Sequence, residues 1–169
     1  MDRLFETIVD KYKSVAKKRV LCLADVSGSM HQLLSKQSSV IQSEFASIMS
    51  YFTAHICGHR MFGTWDNSCH LWKASEKPKI RDLVESGING GHSTDVVNAI
   101  KVAAKQFEGN TQEAPEVITF ISDMQFDEAM RNWGSRNKSN SIEEGLIYFK
   151  TIHGFQPEIV FWNVNAKTT

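Results

Sequence analysis

Apolar residues recur along this chain with two rhythms. Leu4, Ile8, Tyr12 and Val15 repeat at helical spacing over residues 2–17, with charge on the other face. That spacing predicts an amphipathic helix lying on a larger body. Lys17-Lys18-Arg19 closes it with positive charge, which suits a helix C-terminus. Residues 19–24, carrying the apolar run Val20-Leu21-Cys22-Leu23-Ala24, predict a buried strand. After a polar linker, Ile41, Phe45, Ile48, Met49, Phe52 and Ile56 share one face of a predicted helix over residues 38–57. Residues 60–65 and 68–72 are two short strand-like runs around Asp66-Asn67, which reads as a hairpin turn. Pro78 opens a short predicted helix over 78–86, and residues 87–91 form a glycine-rich break. Val96, Ile100, Ala103, Ala104 and Phe107 face inward from a predicted helix over 94–107. Residues 116–122 predict a second buried strand, and 124–140 are polar and irregular. Ile142, Leu146 and Phe149 line a predicted helix over 141–153, and residues 158–164 read as a last strand.

Strands alternating with helices predict an α/β fold with a mostly parallel central sheet and helices on both faces. The hairpin implies one antiparallel strand at an edge. Residues 1–18 are read as an N-terminal helix and 19–169 as one domain, a size that 169 residues fit. Nineteen basic and nineteen acidic residues cancel, which disfavours an obligate nucleic-acid binder. Cys22, Cys57 and Cys69 show no zinc-type spacing and read as free, buried thiols. With no signal-peptide core in the first nineteen residues, a cytoplasmic protein is expected. No apolar run approaches the roughly 20 residues that span a bilayer, so no membrane partner is expected.

Three segments carry oxygen ligands. Asp25-Val26-Ser27-Gly28-Ser29-Met30 follows the first strand, and its alternate spacing lets Asp25, Ser27 and Ser29 point into one turn. Gly28 is expected to permit a tight backbone path there. Gly90-Gly91-His92-Ser93-Thr94-Asp95 delivers Thr94 at a helix start, where a hydroxyl is also a natural cap. Ile121-Ser122-Asp123-Met124 puts Asp123 at the end of the second buried strand. If those two strands are neighbours, Asp25 and Asp123 face each other across a gap. Hard oxygen donors at strand ends suit a hard divalent cation, Mg2+ above all, with Mn2+ or Ca2+ as alternatives. Each piece alone has a plain structural use, as a loop cap or a turn. His31 and His92 flank the site and read first as solvated loop residues. Asp127 either orients Arg131 or is an exposed first-turn acid. Arg131, Trp133, Arg136 and Lys138 either face an acidic partner or form a solvated loop.

Taken together, Asp25, Ser27, Ser29, Thr94 and Asp123 match the pattern of the von Willebrand factor A-type (vWA) domain and its metal-ion-dependent adhesion site. That pattern is Asp-x-Ser-x-Ser, a Thr after a glycine-rich loop, and an Asp ending the fourth strand. Ser122-Asp123-Met124-Gln125-Phe126-Asp127 and Pro157–Asn163 further resemble intracellular vWA domains of plants and large DNA viruses. The RNA-binding Ro autoantigen carries a more distant relative. The resemblance covers residues 19–164 and implies a Rossmann-like fold. It implies that Ser27, Ser29 and Thr94 bind the cation directly, and Asp25 and Asp123 bind it through water or, for one of them, directly in some states. The implied partner is a protein that supplies a carboxylate, and the implied activity is binding, not catalysis. Two other readings stand beside it. Asp25 with the Asp-x-x-x-Asp of Asp123 and Asp127 partly resembles a haloacid-dehalogenase-type phosphatase. Ser27, however, stands where that chemistry needs a second Asp as acid/base. An RNA-associated Ro-like module is disfavoured by the neutral charge. The family ordinarily continues with another helix and a sixth strand, for which the five residues after Val164 leave no room, so either a fragment of a larger protein or a trimmed fold is expected. The fifth strand, with Ile159-Val160-Phe161-Trp162, is then an exposed edge. Either self-association through that edge or the N-terminal helix is expected to cover it.

Overall fold

A computed structural model describes residues 2–12, 17–57, 59–75, 94–124 and 142–165. In chain order these form α1 (Asp2–Tyr12), β1 (Val20–Asp25), a 3-10 turn (Gly28–His31), α2 (Gln42–Ile56), β2 (Met61–Trp65) and β3 (Cys69–Lys73). Then follow α3 (Val96–Gln106), β4 (Val117–Ser122), α4 (Ile142–His153) and β5 (Glu158–Asn163). The predicted helix over 78–86, the break over 87–91 and nearly all of the irregular stretch over 124–140 lie outside the described residues. So do Val15, His92, Asp127, Arg131, Trp133, Arg136 and Lys138.

The strands make one five-stranded sheet in the order β3-β2-β1-β4-β5. β1 is parallel to β2 and β4, β4 is parallel to β5, and β3 is antiparallel to β2. The chain is therefore α/β and Rossmann-like, with the antiparallel hairpin at one edge. Asp66 makes that hairpin tight: its Oδ1 accepts from Ser68 N at 2.7 Å and from Ser68 Oγ at 2.8 Å.

β1 and β4 are central and buried on both faces, which is why each is mostly apolar, with a polar residue at its carboxyl end and Thr119 within β4. Leu21, Leu23, Ile118 and Phe120 join Ile100, Ala103 and Phe149 of α3 and α4 on one face. Cys22, Ala24 and Ile121 meet Ala46 of α2, with Met30 and Val164, on the other. Layers of helix thus cover both faces, as the alternation predicts. Burial pushes the Cys22 and Cys69 thiols up to about 12, so both stay protonated packing groups.

Two helix faces differ from the sequence expectation. On α2 the buried side is small and polar: Gln42, Ser43, Ala46, Ser47, Ser50, Ala54 and His55, with Tyr51. Small residues let the helix approach β1 closely, and Ser50 Oγ donates to Cys22 O at 2.5 Å. The apolar set is left at the helix flank, where Ile48 is exposed. On α1 the expected packing face is turned outward. Leu4 is 67% exposed, Ile8 37% and Tyr12 44%, while Val9 is the residue buried. The helix packs on α2.

The order of the strands locates a crevice. From β1 the chain passes to β2 on one side, and later reaches β4 on the other. Loops leaving the carboxyl ends of β1 and β4 part at this switch point, where open α/β sheets bind ligands.

Candidate metal centre

Asp25 is the last residue of β1 and is fully buried. Both of its oxygens are engaged. Oδ1 accepts from Ser27 N at 2.9 Å, and Oδ2 accepts from Ser122 Oγ at 2.6 Å. These bonds fix the carboxylate and shape the turn that follows. In that turn the Ser27 and Ser29 hydroxyls lie 3.2 Å apart. Ser27 O accepts from Met30 N at 3.0 Å, closing the 3-10 turn. Ser27 is buried and Ser29 half-buried. Alternate spacing therefore does bring Asp25, Ser27 and Ser29 into one turn.

β1 and β4 are neighbours, with Ala24 opposite Ile121. Asp123 follows β4 directly and is buried on the same rim. Its backbone N donates to the Met30 sulfur at 3.1 Å, which ties the loop after β4 to the turn after β1. Burial pushes the Asp25 carboxyl above its ordinary value of 3.8, and the hydrogen bonds from Ser122 and Ser27 oppose the shift. The charge of Asp123 adds to the upward push, so the two carboxylates feel each other across the crevice.

Thr94 reaches the same rim from a third direction. Asp25 pairs in register with Trp65, whose carbonyl accepts from Val26 N at 3.1 Å. The next residue, Asp66, accepts through its carbonyl from Asp95 N at 2.7 Å. Thr94 is thus anchored beside the ends of β1 and β2, and it is buried. The plain use of Thr94 as a helix cap is not what occurs: Asp95 caps α3, its Oδ1 accepting from Asn98 N at 2.8 Å.

Gly28 corrects an expectation. Its φ is not in the left-handed region, and a Cβ placed on it would meet nothing within 4 Å. The turn does not depend on glycine. Backbone strain sits instead at Met124, a non-glycine residue with φ 66°, immediately after Asp123. Its N donates to Ser122 Oγ at 3.1 Å, so Ser122 holds both the sharp turn and Asp25. Three supporting residues escape a ligand-motif reading. Ser122 leaves a trace, as the polar end of an apolar run. Asp66 looks like any turn aspartate, and Met30 gives no sequence signal because a sulfur acceptor looks like a core residue.

Among the described residues no three His, Cys, Asp or Glu side chains gather where they could hold a metal ion. The donors here are different: two carboxylates and three hydroxyls, all hard oxygens. Two buried carboxylates on one rim, one raising the pKa of the other, are relieved by a cation, and the set fits a hard divalent ion that keeps some of its water. No helix among the described residues is long and apolar enough to cross a membrane. No family model and no curated protein matches this chain.

Proposed function

We propose that the chain is a vWA-type interaction module that binds an acidic group of a partner protein through a divalent cation. Ser27, Ser29 and Thr94 would hold the ion, Mg2+ or alternatively Mn2+ or Ca2+, with Asp25 and Asp123 behind them. A cation held mainly by neutral hydroxyls keeps much of its charge and supplies an open position for an incoming carboxylate. Asp25 suits a supporting role, since its oxygens already accept from Ser27 and Ser122 and each keeps one further lone pair for a water. The observation that carries the reading is the Ser27–Ser29 hydroxyl pair in the turn held by the buried Asp25 carboxylate, with Asp123 on the same rim. A cytoplasmic setting accords with the free thiols.

The phosphatase reading is weaker on the same geometry. A nucleophilic Asp needs an oxygen exposed to substrate, and Asp25 is fully buried. Ser27 is a poor proton shuttle at neutral pH. We therefore read the chain as a binding module without catalytic activity.

Mn2+ provides the test. Water-proton relaxation should rise on titrating the chain with Mn2+, saturate at one ion per chain, and fall when excess Mg2+ is added. Adding acetate should displace a bound water and lower the signal further. Ser27→Ala with Thr94→Ala should abolish saturable binding. A wild-type chain that shows no saturable Mn2+ binding would overturn the proposal.

A further inference from the structure

The sheet ends on two edges that meet water differently. β3 carries His70 and ends on Lys73, the kind of charge that blunts an edge against pairing. β5 has neither charge nor proline from Ile159 to Asn163, and exposes Val160 at 37% and Trp162 at 40%. Its one charge, Glu158, is met by Lys18 Nζ at 2.9 Å. The Trp162 ring stands edge-on to Phe45 of α2, centroids 6.0 Å apart, so the apolar surface runs from strand to helix. The helix expected from sequence to cover this edge, α1, lies on α2.

We propose that β5 pairs antiparallel with β5 of a second copy across a twofold axis, joining two sheets into one. The register follows from the backbone. Glu158 N donates to Glu116 O and Val164 N donates to Ser122 O. Even-numbered residues of β5 therefore direct their backbone groups to β4, and Ile159, Phe161 and Asn163 direct theirs away. A twofold perpendicular to the sheet keeps each side chain on its own face, so the centre must fall on a residue. Centred on Val160, Asn163 would meet Pro157, which has no N–H to give. Centred on Phe161, Ile159 meets Asn163, and Val160 meets Trp162 on the α2 face. The two exposed apolar side chains then cover each other.

Charge also favours a second copy as the occupant. In this register Glu158 lies opposite Val164 and away from its own counterpart. Each Glu158 keeps its Lys18, and chains of net charge zero do not repel. Pairing reverses the strand direction, so the two crevices open at opposite ends of the joined sheet. On the metal-site reading, such a dimer would bridge two partners and not clamp one. The pairing itself does not depend on that reading.

Light scattering after size separation, in chelator so that metal plays no part, should show a dimer that dissociates on dilution. Val160→Lys should weaken it roughly tenfold or more, since two symmetry-related cross-strand pairs are lost, while Val160→Thr retains it. A chain that is monomeric at every accessible concentration overturns the proposal, as does a dimer indifferent to Val160→Lys. Should Val160→Lys fail to fold, cross-linking decides. Val160 and Trp162 form a non-hydrogen-bonded pair with Cα atoms about 4.5 Å apart, within disulfide reach. Mixing Val160→Cys with Trp162→Cys chains under mild oxidation should give the mixed disulfide, and neither variant alone should link. A linked Val160→Cys homodimer, or no link in the mixture, overturns the register.

Discussion

The two ends of the sheet treat charge in opposite ways. At the amino ends of the parallel strands, charged groups meet their complements within the chain. Arg19 lies 3.6 Å from Glu116 and donates through Nε to Ala114 O at 2.8 Å, and Lys18 meets Glu158 at 2.9 Å. His59, just before β2, shares a 2.7 Å hydrogen bond with Glu113 O. At the carboxyl ends, Asp25 is buried, accepts hydrogen bonds from the neutral groups Ser27 N and Ser122 Oγ, and is pushed by the charge of Asp123. One end is closed and serves the fold. The other buries the Asp25 carboxylate beside a crevice, with the charge of Asp123 adding to the push, which costs stability unless a cation offsets it.

The sharpest way to break this contrast is Asp25→Asn. The folded carboxyl of Asp25 titrates above its ordinary 3.8. Its contribution to stability is present below that value and is lost as pH rises through the folded value, so at neutral pH the metal-free protein carries a cost. Removing the charge should raise the thermal midpoint in chelator. With metal the sign reverses. At a Mg2+ concentration near 100 Kd the wild type should gain about 2.7 kcal/mol, or roughly 5–10 °C at this chain length. Asp25→Asn should lose on the order of 10–100-fold in Mg2+ affinity, and with it about half or more of that gain. Scanning both proteins with and without Mg2+ gives the four midpoints needed. A variant destabilised in chelator, or one that keeps the Mg2+ gain, removes the contrast.

This opposition also marks what was legible in the sequence. The fold was largely readable because β1 and β4, buried on both faces, must be mostly apolar, and because the helices between them have a 3.6-residue rhythm. Asp25, Ser27 and Ser29 were readable as neighbours since two-residue steps in a turn bring them together. That Asp123 and Thr94 share their rim depends on strand order, which is decided by packing between distant segments. Helix orientation was less legible. The period of α1 is clear, yet which side meets the body was set by Val9 and α2, leaving Leu4, Ile8 and Tyr12 outward. On α2 the serines that face β1 look like surface residues in sequence, because their burial is decided by how closely helix and strand approach. Capping by Asp95 in place of Thr94 shows the same limit at the level of a single bond.

The closed end can be tested through His59. Burial lowers its pKa below the ordinary 6.5, the carbonyl and charge of Glu113 oppose this, and Arg19 adds to the lowering. A histidine held neutral in the fold binds fewer protons folded than unfolded. Its share of stability is therefore full above pH 6.5 and is lost as pH falls through the folded value. Urea melts from pH 8 to 5 should show that decline in the wild type, and His59→Leu should flatten it. At pH 8 the same variant should be less stable by about 1–2 kcal/mol, since Glu113 O loses its partner. A wild-type profile flat between pH 8 and 5 would mean that this end is as open to solvent as the other.

The smallest effect expected is at Gly28, on the open rim. Its backbone angle is ordinary, and an added Cβ would stand in free space. Alanine there restricts the unfolded chain without straining the folded one, so Gly28→Ala should stabilise by about 0.4–1 kcal/mol. On the proposed site Mn2+ affinity would depend on Asp25, Ser27, Ser29, Thr94 and Asp123, and it should not change. A methyl group at this exposed position also stands on the surface a partner would approach. Unchanged metal affinity with weakened carboxylate binding would show that Gly28 leaves room for the partner. Lost metal affinity would show instead that the turn must move into a conformation only glycine allows before it closes on the ion.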